Sequence, residues 1–157
     1  MQKITIPFVM ILVLGSLQRS SAQSVSDPGY KFALGVRLSS ATPTLSNSIS
    51  AKYFINDRDA LEGLLSFGNR FGIGGLYERH QLIGSIPNFT WFYGGGGYLG
   101  FENHNTYLGP TGIVGLDYKF QNVPLNLSLD WKPELDILPS INFVPDAFAV
   151  TVRFAFK

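Results

Sequence analysis

The chain of 157 residues contains no cysteine. That excludes disulfides, thiolate metal sites and a lipid-modified N-terminal Cys. Charge is scarce, with Asp, Glu, Lys and Arg making up 15% of the residues, and 12 Lys plus Arg balance 11 Asp plus Glu. A chain without charge bias gives no reason to expect nucleic acid or an acidic surface as partner. Only two histidines are present, and no metal-ligand cluster has recognisable spacing, so no cofactor is expected. No apolar run beyond residue 22 reaches the roughly 20 residues a membrane-spanning helix needs. What the chain has instead is 17 glycines and 14% aromatic residues, a turn-rich and aromatic-rich composition that favours an all-β fold.

The first residues read as an export signal. Lys3 supplies the positive start, "IPFVMILVLGSL" (Ile6 to Leu17) a short apolar core, and Ser20 and Ala22 the small residues before a cut. Residues 1–22 are therefore expected to be a cleavable signal peptide and residues 23–157 a single β-domain, long enough for one domain and short for two.

Within that domain, alternation with a period of two is the dominant signal. Tyr30, Phe32, Leu34, Val36 and Leu38 fall on one face of "YKFALGVRL", and Lys31, Ala33, Gly35 and Arg37 on the other. "LNLSLDWKPE" sets Leu125, Leu127, Leu129 and Trp131 against Asn126, Ser128, Asp130 and Lys132. "AFAVTVRFAFK" sets Phe148, Val150, Val152, Phe154 and Phe156 against Ala149, Thr151, Arg153 and Ala155. Further strands are expected near Asn47–Ile55, Ala60–Phe67, Phe71–Gln81, Phe89–Glu102 and Leu108–Phe120, separated by turn-forming stretches such as "NDRD", "GNR", "GSIPN" and "QNVP". "SSATPTLSN" and "ELDILPSINFVPDA" read as longer loops. About eight strands of roughly ten residues meet the requirement for a small membrane-spanning barrel.

Alternation alone does not say which face points inward. A membrane barrel turns its apolar face to lipid and its polar face inward, and aromatic rings gather at its interfaces. Tyr53, Tyr77, Tyr118, Tyr30, Trp91 and Phe156 sit at matching strand ends and are expected to form such a girdle. The polar face collects Lys31, Arg37, Lys52, Lys119, Lys132 and Arg153 with Glu62, Glu78, Glu102, Asp117, Asp130 and Glu134. Balanced charges of this kind suit a narrow interior in which ions must pair.

Two other patterns invite a chemical reading. Gly95, Gly97 and Gly100 spell G-x-G-x-x-G, but no helical periodicity follows, and a phosphate cradle of that kind needs a helix N-terminus. In a barrel strand the glycines relieve crowding, with Gly94, Gly96 and Gly100 facing inward and Gly95 and Gly97 outward. His104 lies two residues after Glu102 near serine-bearing loops, which would suit an acyl-transfer site only with a hydroxyl nucleophile beside it. The chain is not expected to be an enzyme.

The alternating aromatic and aliphatic end, "FAVTVRFAFK", with "YGGGGYLGF" and "DWKPELDILP", resembles small outer-membrane β-barrel proteins of the OmpX/OmpA transmembrane-barrel type. That resemblance implies an eight-stranded antiparallel up-and-down transmembrane barrel in the outer membrane of a Gram-negative cell envelope. It also implies an assembly signal at Val150, Val152, Phe154 and Phe156, read by the barrel-assembly machinery. Outer-membrane lipid would surround a monomer whose outer loops could touch a surface ligand. The role would be structural or interactive, the porin-like interior plugged by ion pairs rather than open. A lipid-modifying barrel enzyme centred on His104 and a soluble periplasmic lipid-binding barrel are the alternatives.

Overall fold

The computed structural model describes residues 28–40, 44–145 and 147–157. The expected signal peptide lies outside the described residues. Among the described residues every regular element is a strand: β1 (Phe32–Ser39), β2 (Ser48–Phe54), β3 (Asp59–Ser66), β4 (Phe71–Leu82), β5 (Phe89–Glu102), β6 (Asn105–Lys119), β7 (Leu125–Trp131), β8 (Glu134–Asp136), β9 (Asn142–Val144) and β10 (Phe148–Phe156).

Each barrel strand pairs antiparallel with its neighbours in the order β5-β4-β3-β2-β1-β10-β7-β6, and a β5–β6 pairing closes the ring. Closure satisfies the backbone without leaving an edge. The eight registers, carried once round the barrel, return to β1 ten residues from the starting point, a shear of ten for eight strands. That shear tilts the strands by about 40° and leaves an interior just wide enough for side chains.

One end of the barrel, here the turn end, carries the short connections after β2, β4 and β6. After β2, Asn56 Oδ1 accepts from the backbone N–H groups of Arg58 and Asp59, each at 2.9 Å, an Asx turn that explains "NDRD". At the opposite loop end, β5 and β6 meet in a two-residue turn. Its residues, Asn103 (φ 48) and His104 (φ 66), both adopt the left-handed conformation that a primed hairpin turn requires. β6 therefore starts at Asn105, three residues before the expected Leu108.

The stretch expected to be a long loop after β7 is instead a hairpin. Pro133 interrupts the strand, yet Val114↔Trp131 and Thr111↔Glu134 keep one register, so β8 prolongs β7 beyond the break and β9 folds back on it.

Gly94 and Gly96 of β5 face the neighbouring backbone closely. A Cβ at Gly94 would run into the Tyr77 carbonyl, and one at Gly96 into that of Gly75. Only glycine lets β5 lie this close to β4 where the wall curves.

Candidate functional site: the barrel interior

Inward positions of the strands are occupied mainly by polar and charged side chains, and outward positions by Leu, Val, Ile and aromatic residues.

At the turn end a cavity of about 670 Å³ opens between Tyr30, Lys31, Phe54, Asn56, Lys119 and Lys157. Its floor is aromatic. Tyr30 and Phe54 meet edge-on at 5.1 Å, and Phe54, His80 and Phe92 continue the layer at 4.9 Å spacings. His80 bridges Glu78 and Thr90, each at 3.0 Å from a ring nitrogen.

Above the floor lies the principal charge cluster. Lys52 Nζ stands 2.7 Å from Glu78, 3.6 Å from Asp117 and 4.0 Å from Glu62. The Arg153 guanidinium pairs with Glu62 and lies 3.8 Å from Asp117. It also donates to Ser50 Oγ (2.6 Å), Ser128 Oγ (2.6 Å) and Asn126 Oδ1 (3.0 Å). Asn126 and Ser128 in turn donate to Asp117 at 2.7 and 2.6 Å. Five strands thus contribute charge to one network, which is how fully buried ions are tolerated. Two further pairs stand apart: Arg37–Asp130 at 2.6 Å and Lys132–Glu134 at 2.5 Å.

The loop end is stoppered by the chain itself. Thr44 and Leu45, from the connection between β1 and β2, are fully buried inside the barrel. Leu45 packs with Leu64, Leu76, Phe92, Tyr98 and Ile113. Its carbonyl accepts from Arg37 (3.1 Å), and its N–H donates to Glu134 (3.3 Å). Ser66 Oγ donates to the Thr44 carbonyl. Three glycines make the room: a Cβ at Gly72 or Gly100 would press on Thr44, and one at Gly74 on Leu45. Arg70 caps the plug, 2.7 Å from Thr44 Oγ1, 3.2 Å from Glu102 and 3.5 Å from Asp136, with its guanidinium carbon 3.3 Å from the centre of the Tyr107 ring. Tyr98 donates to Asp136 at 2.7 Å.

Of the residues expected inside, Arg37, Lys52, Glu62, Glu78, Asp117, Asp130, Lys132, Glu134 and Arg153 are buried in these pairs, and Glu102 lies half-buried at the loop-end rim. Two depart from the expectation. Lys31 is exposed, its ammonium 5.8 Å from the centre of the Tyr53 ring, and it forms no ion pair among the described residues. Lys119 is buried, but its ammonium donates to the backbone carbonyls of Phe120 (2.5 Å) and Val123 (3.1 Å) rather than pairing with an acid. The cause at Lys31 is local: Gly29 has φ +83 and β1 begins only at Phe32, so the alternation does not extend back through residues 30 and 31. Tyr30 is displaced with it. Instead of joining an outer girdle it is buried and donates to Asp117 at 3.3 Å. Thr44, Leu45, Arg70, Tyr98 and Asp136 were not foreseen. The signal for the first two was the run of inward glycines at 72, 74 and 100.

Val150, Val152, Phe154 and Phe156 all lie on the outer face of β10. His104 is exposed at the tip of its turn.

These features define the class of the chain: a closed eight-stranded antiparallel β-barrel with a charged, hydrogen-bonded interior and an apolar outer wall. No protein-family model matches the sequence, and no curated protein is significantly similar to it.

Proposed function

We propose that the chain is a small outer-membrane β-barrel of the OmpX/OmpA type, with a structural or surface-interaction role and an interior closed to solutes. One observation carries the reading, the inversion of polarity between wall and interior. Leu34, Val36, Ile49, Leu61, Ile73, Leu99, Leu116, Leu127, Leu129, Val150 and Val152 form an exposed aliphatic waist. Monomeric soluble proteins rarely expose apolar patches beyond a few hundred Å², and a soluble lipid carrier would need the opposite arrangement. Aromatic rings border the waist on both sides. Phe32, Phe156, Tyr53, Trp91, Tyr93 and Phe120 lie toward the turn end, and Phe67, Phe71, Phe101 and Phe148 toward the loop end. Trp91 and Phe101 stand ten residues apart on β5. At about 3.3 Å per residue and a tilt near 40°, that separation spans about 25 Å along the axis, the height of the lipid-facing band of membrane barrels.

In this reading the turn end faces the periplasm and outer-membrane lipid surrounds the waist. Val150, Val152, Phe154 and Phe156 present the assembly signal. The plug of Thr44 and Leu45 with the ion pairs beneath it closes the bore. Surface interaction falls to the β8–β9 hairpin, which exposes Ile137, Leu138, Ile141 and Phe143. The barrel acts as a monomer and catalyses no reaction, His104 being a turn residue.

Fractionation with heat-modifiability tests the proposal. The full chain, produced in a Gram-negative host, is expected in the outer-membrane fraction with a gel mobility in SDS that shifts on boiling. Recovery as a soluble protein without detergent and without a shift would overturn it.

A further inference from the structure

Every exposed or half-exposed Lys or Arg among the described residues lies at the turn end: Lys31, Arg58, Arg79 and Lys157. Arg79 is paired with Asp59 at 3.3 Å, but Lys31 and Lys157 form no ion pair there. At the loop end Arg70 is buried and committed to Glu102 and Asp136. The charge left over at the turn end converges on the cavity of about 670 Å³, which Lys31, Lys119 and Lys157 all line. The side-chain amides of Asn88 and Gln121 add neutral donors, that of Asn56 being bonded to Asp59 at 2.8 Å, and Asp57 is the one acidic side chain in the lining. Beneath, the edge-on Tyr30–Phe54 pair separates the cavity from the Lys52 cluster. Three ammonium groups and two amides, against the Asp57 carboxylate and the main-chain carboxylate of Lys157, make a donor-rich recess that is still net positive. That is the composition that recognises a phosphate oxyanion.

Its place in the fold selects the ligand. Lys31 and Lys157 of its lining adjoin Phe32 and Phe156 in sequence, and the Lys31 ammonium lies 5.8 Å from the centre of the Tyr53 ring, so the cavity sits at the aromatic border of the apolar wall. In a membrane, that border lies at the level of the lipid headgroups. The geometry points to a binding site for the phosphate of an anionic glycerophospholipid in the leaflet that faces the turn end. This rests on the membrane reading above. The acyl chains would run along the aliphatic waist while the headgroup enters the mouth between Lys31 and Lys157. Lys119, already holding two carbonyls of the β6–β7 turn, would set the depth.

The test uses the full chain refolded in detergent micelles. Native mass spectrometry would compare dihexanoyl phosphatidylglycerol, dihexanoyl phosphatidylcholine and inorganic phosphate as probes. The wild type should retain phosphatidylglycerol in preference to phosphatidylcholine. Lys31→Gln with Lys157→Gln should cut retention by about thirtyfold, and Lys31→Arg with Lys157→Arg should restore it. Equal retention by wild type and the Gln variant, or equal retention of the two lipids, would overturn the proposal. Variant-sensitive retention of inorganic phosphate without phosphatidylglycerol would overturn the lipid assignment and make the ligand a free phosphate. A boiling-dependent gel shift in the same samples separates the two levels. If the shift persists while lipid binding fails, the site is wrong; if the shift is absent, the membrane reading itself is wrong.

Discussion

Replacing Arg153 by Met keeps an unbranched apolar stem and removes the guanidinium with its charge. Arg153 is 1% exposed, and its guanidinium is shared by Glu62, Asp117, Ser50, Asn126 and Ser128. Without it, Glu62 is left with Lys52 at 4.0 Å as its cation and the Ser50 hydroxyl at 2.5 Å, and Lys52 alone faces three carboxylates. Removing one partner of a buried ion pair costs about 3–5 kcal/mol, a factor of roughly 150 to 5,000 in the folding equilibrium. Arg153→Met combined with Glu62→Gln takes away the stranded carboxylate as well. The double variant should therefore be less destabilised than the two single changes summed, with a coupling of up to about 3 kcal/mol. Reversible guanidinium unfolding in phospholipid vesicles, followed by tryptophan fluorescence, measures all four corners of the cycle. Arg58→Ala, on the exposed β2–β3 turn, serves as a reference and should stay within about 0.5 kcal/mol. The reasoning is refuted if Arg153→Met costs less than about 1 kcal/mol or if the cycle is additive.

Val152→Arg sits one residue away but on the outer wall, and should cost about 2–4 kcal/mol at mid-bilayer in the same unfolding assay; no loss in vesicles would mean that the wall does not meet lipid. Gly94→Ala drives a methyl group into the Tyr77 carbonyl, whereas Gly75→Ala meets nothing within 4 Å. The first should lower the unfolding midpoint and the second leave it nearly unchanged, and equal effects would count against the tight-curvature account. Gly74→Val should push on Leu45 and cost about 1–3 kcal/mol by overpacking. Wild-type stability in that variant would show that the loop-end plug yields without cost.

Legibility in the sequence followed the regularity of the backbone. Where strands run unbroken, as in β10 and in β4 up to Glu78, parity alone placed Glu62, Glu78, Asp117 and Arg153 on the inward face. Where the backbone leaves the strand conformation, parity failed. Gly29 with φ +83 put Tyr30 inside and Lys31 outside. Pro133 disguised the continuity of β7 with β8, because a proline in a strand pattern ordinarily marks its end. Thr44 and Leu45 could not be found from their own segment, since nothing in "TPTLSN" distinguishes a loop that folds inward from one that folds out. Their trace lay elsewhere, in Gly72, Gly74 and Gly100, which occupy inward positions where a larger side chain would otherwise fill the bore. The glycine-rich stretch around the pattern that imitates a phosphate cradle therefore combines curvature at Gly94 and Gly96 with space for the plug at Gly100.

The central claim is that the apolar wall faces lipid, and Trp91 offers the most direct test. It is 39% exposed at the turn-end border of that wall, while the second tryptophan, Trp131, lies on the outer face near the other end and donates to the Pro145 carbonyl at 2.5 Å. In Trp131→Phe the emission comes from Trp91 alone. Reconstituted into vesicles of acyl-brominated phosphatidylcholine, Trp91 should be quenched, most strongly by bromines near the headgroup end of the chain. Emission untouched by bromine at every depth would contradict the account.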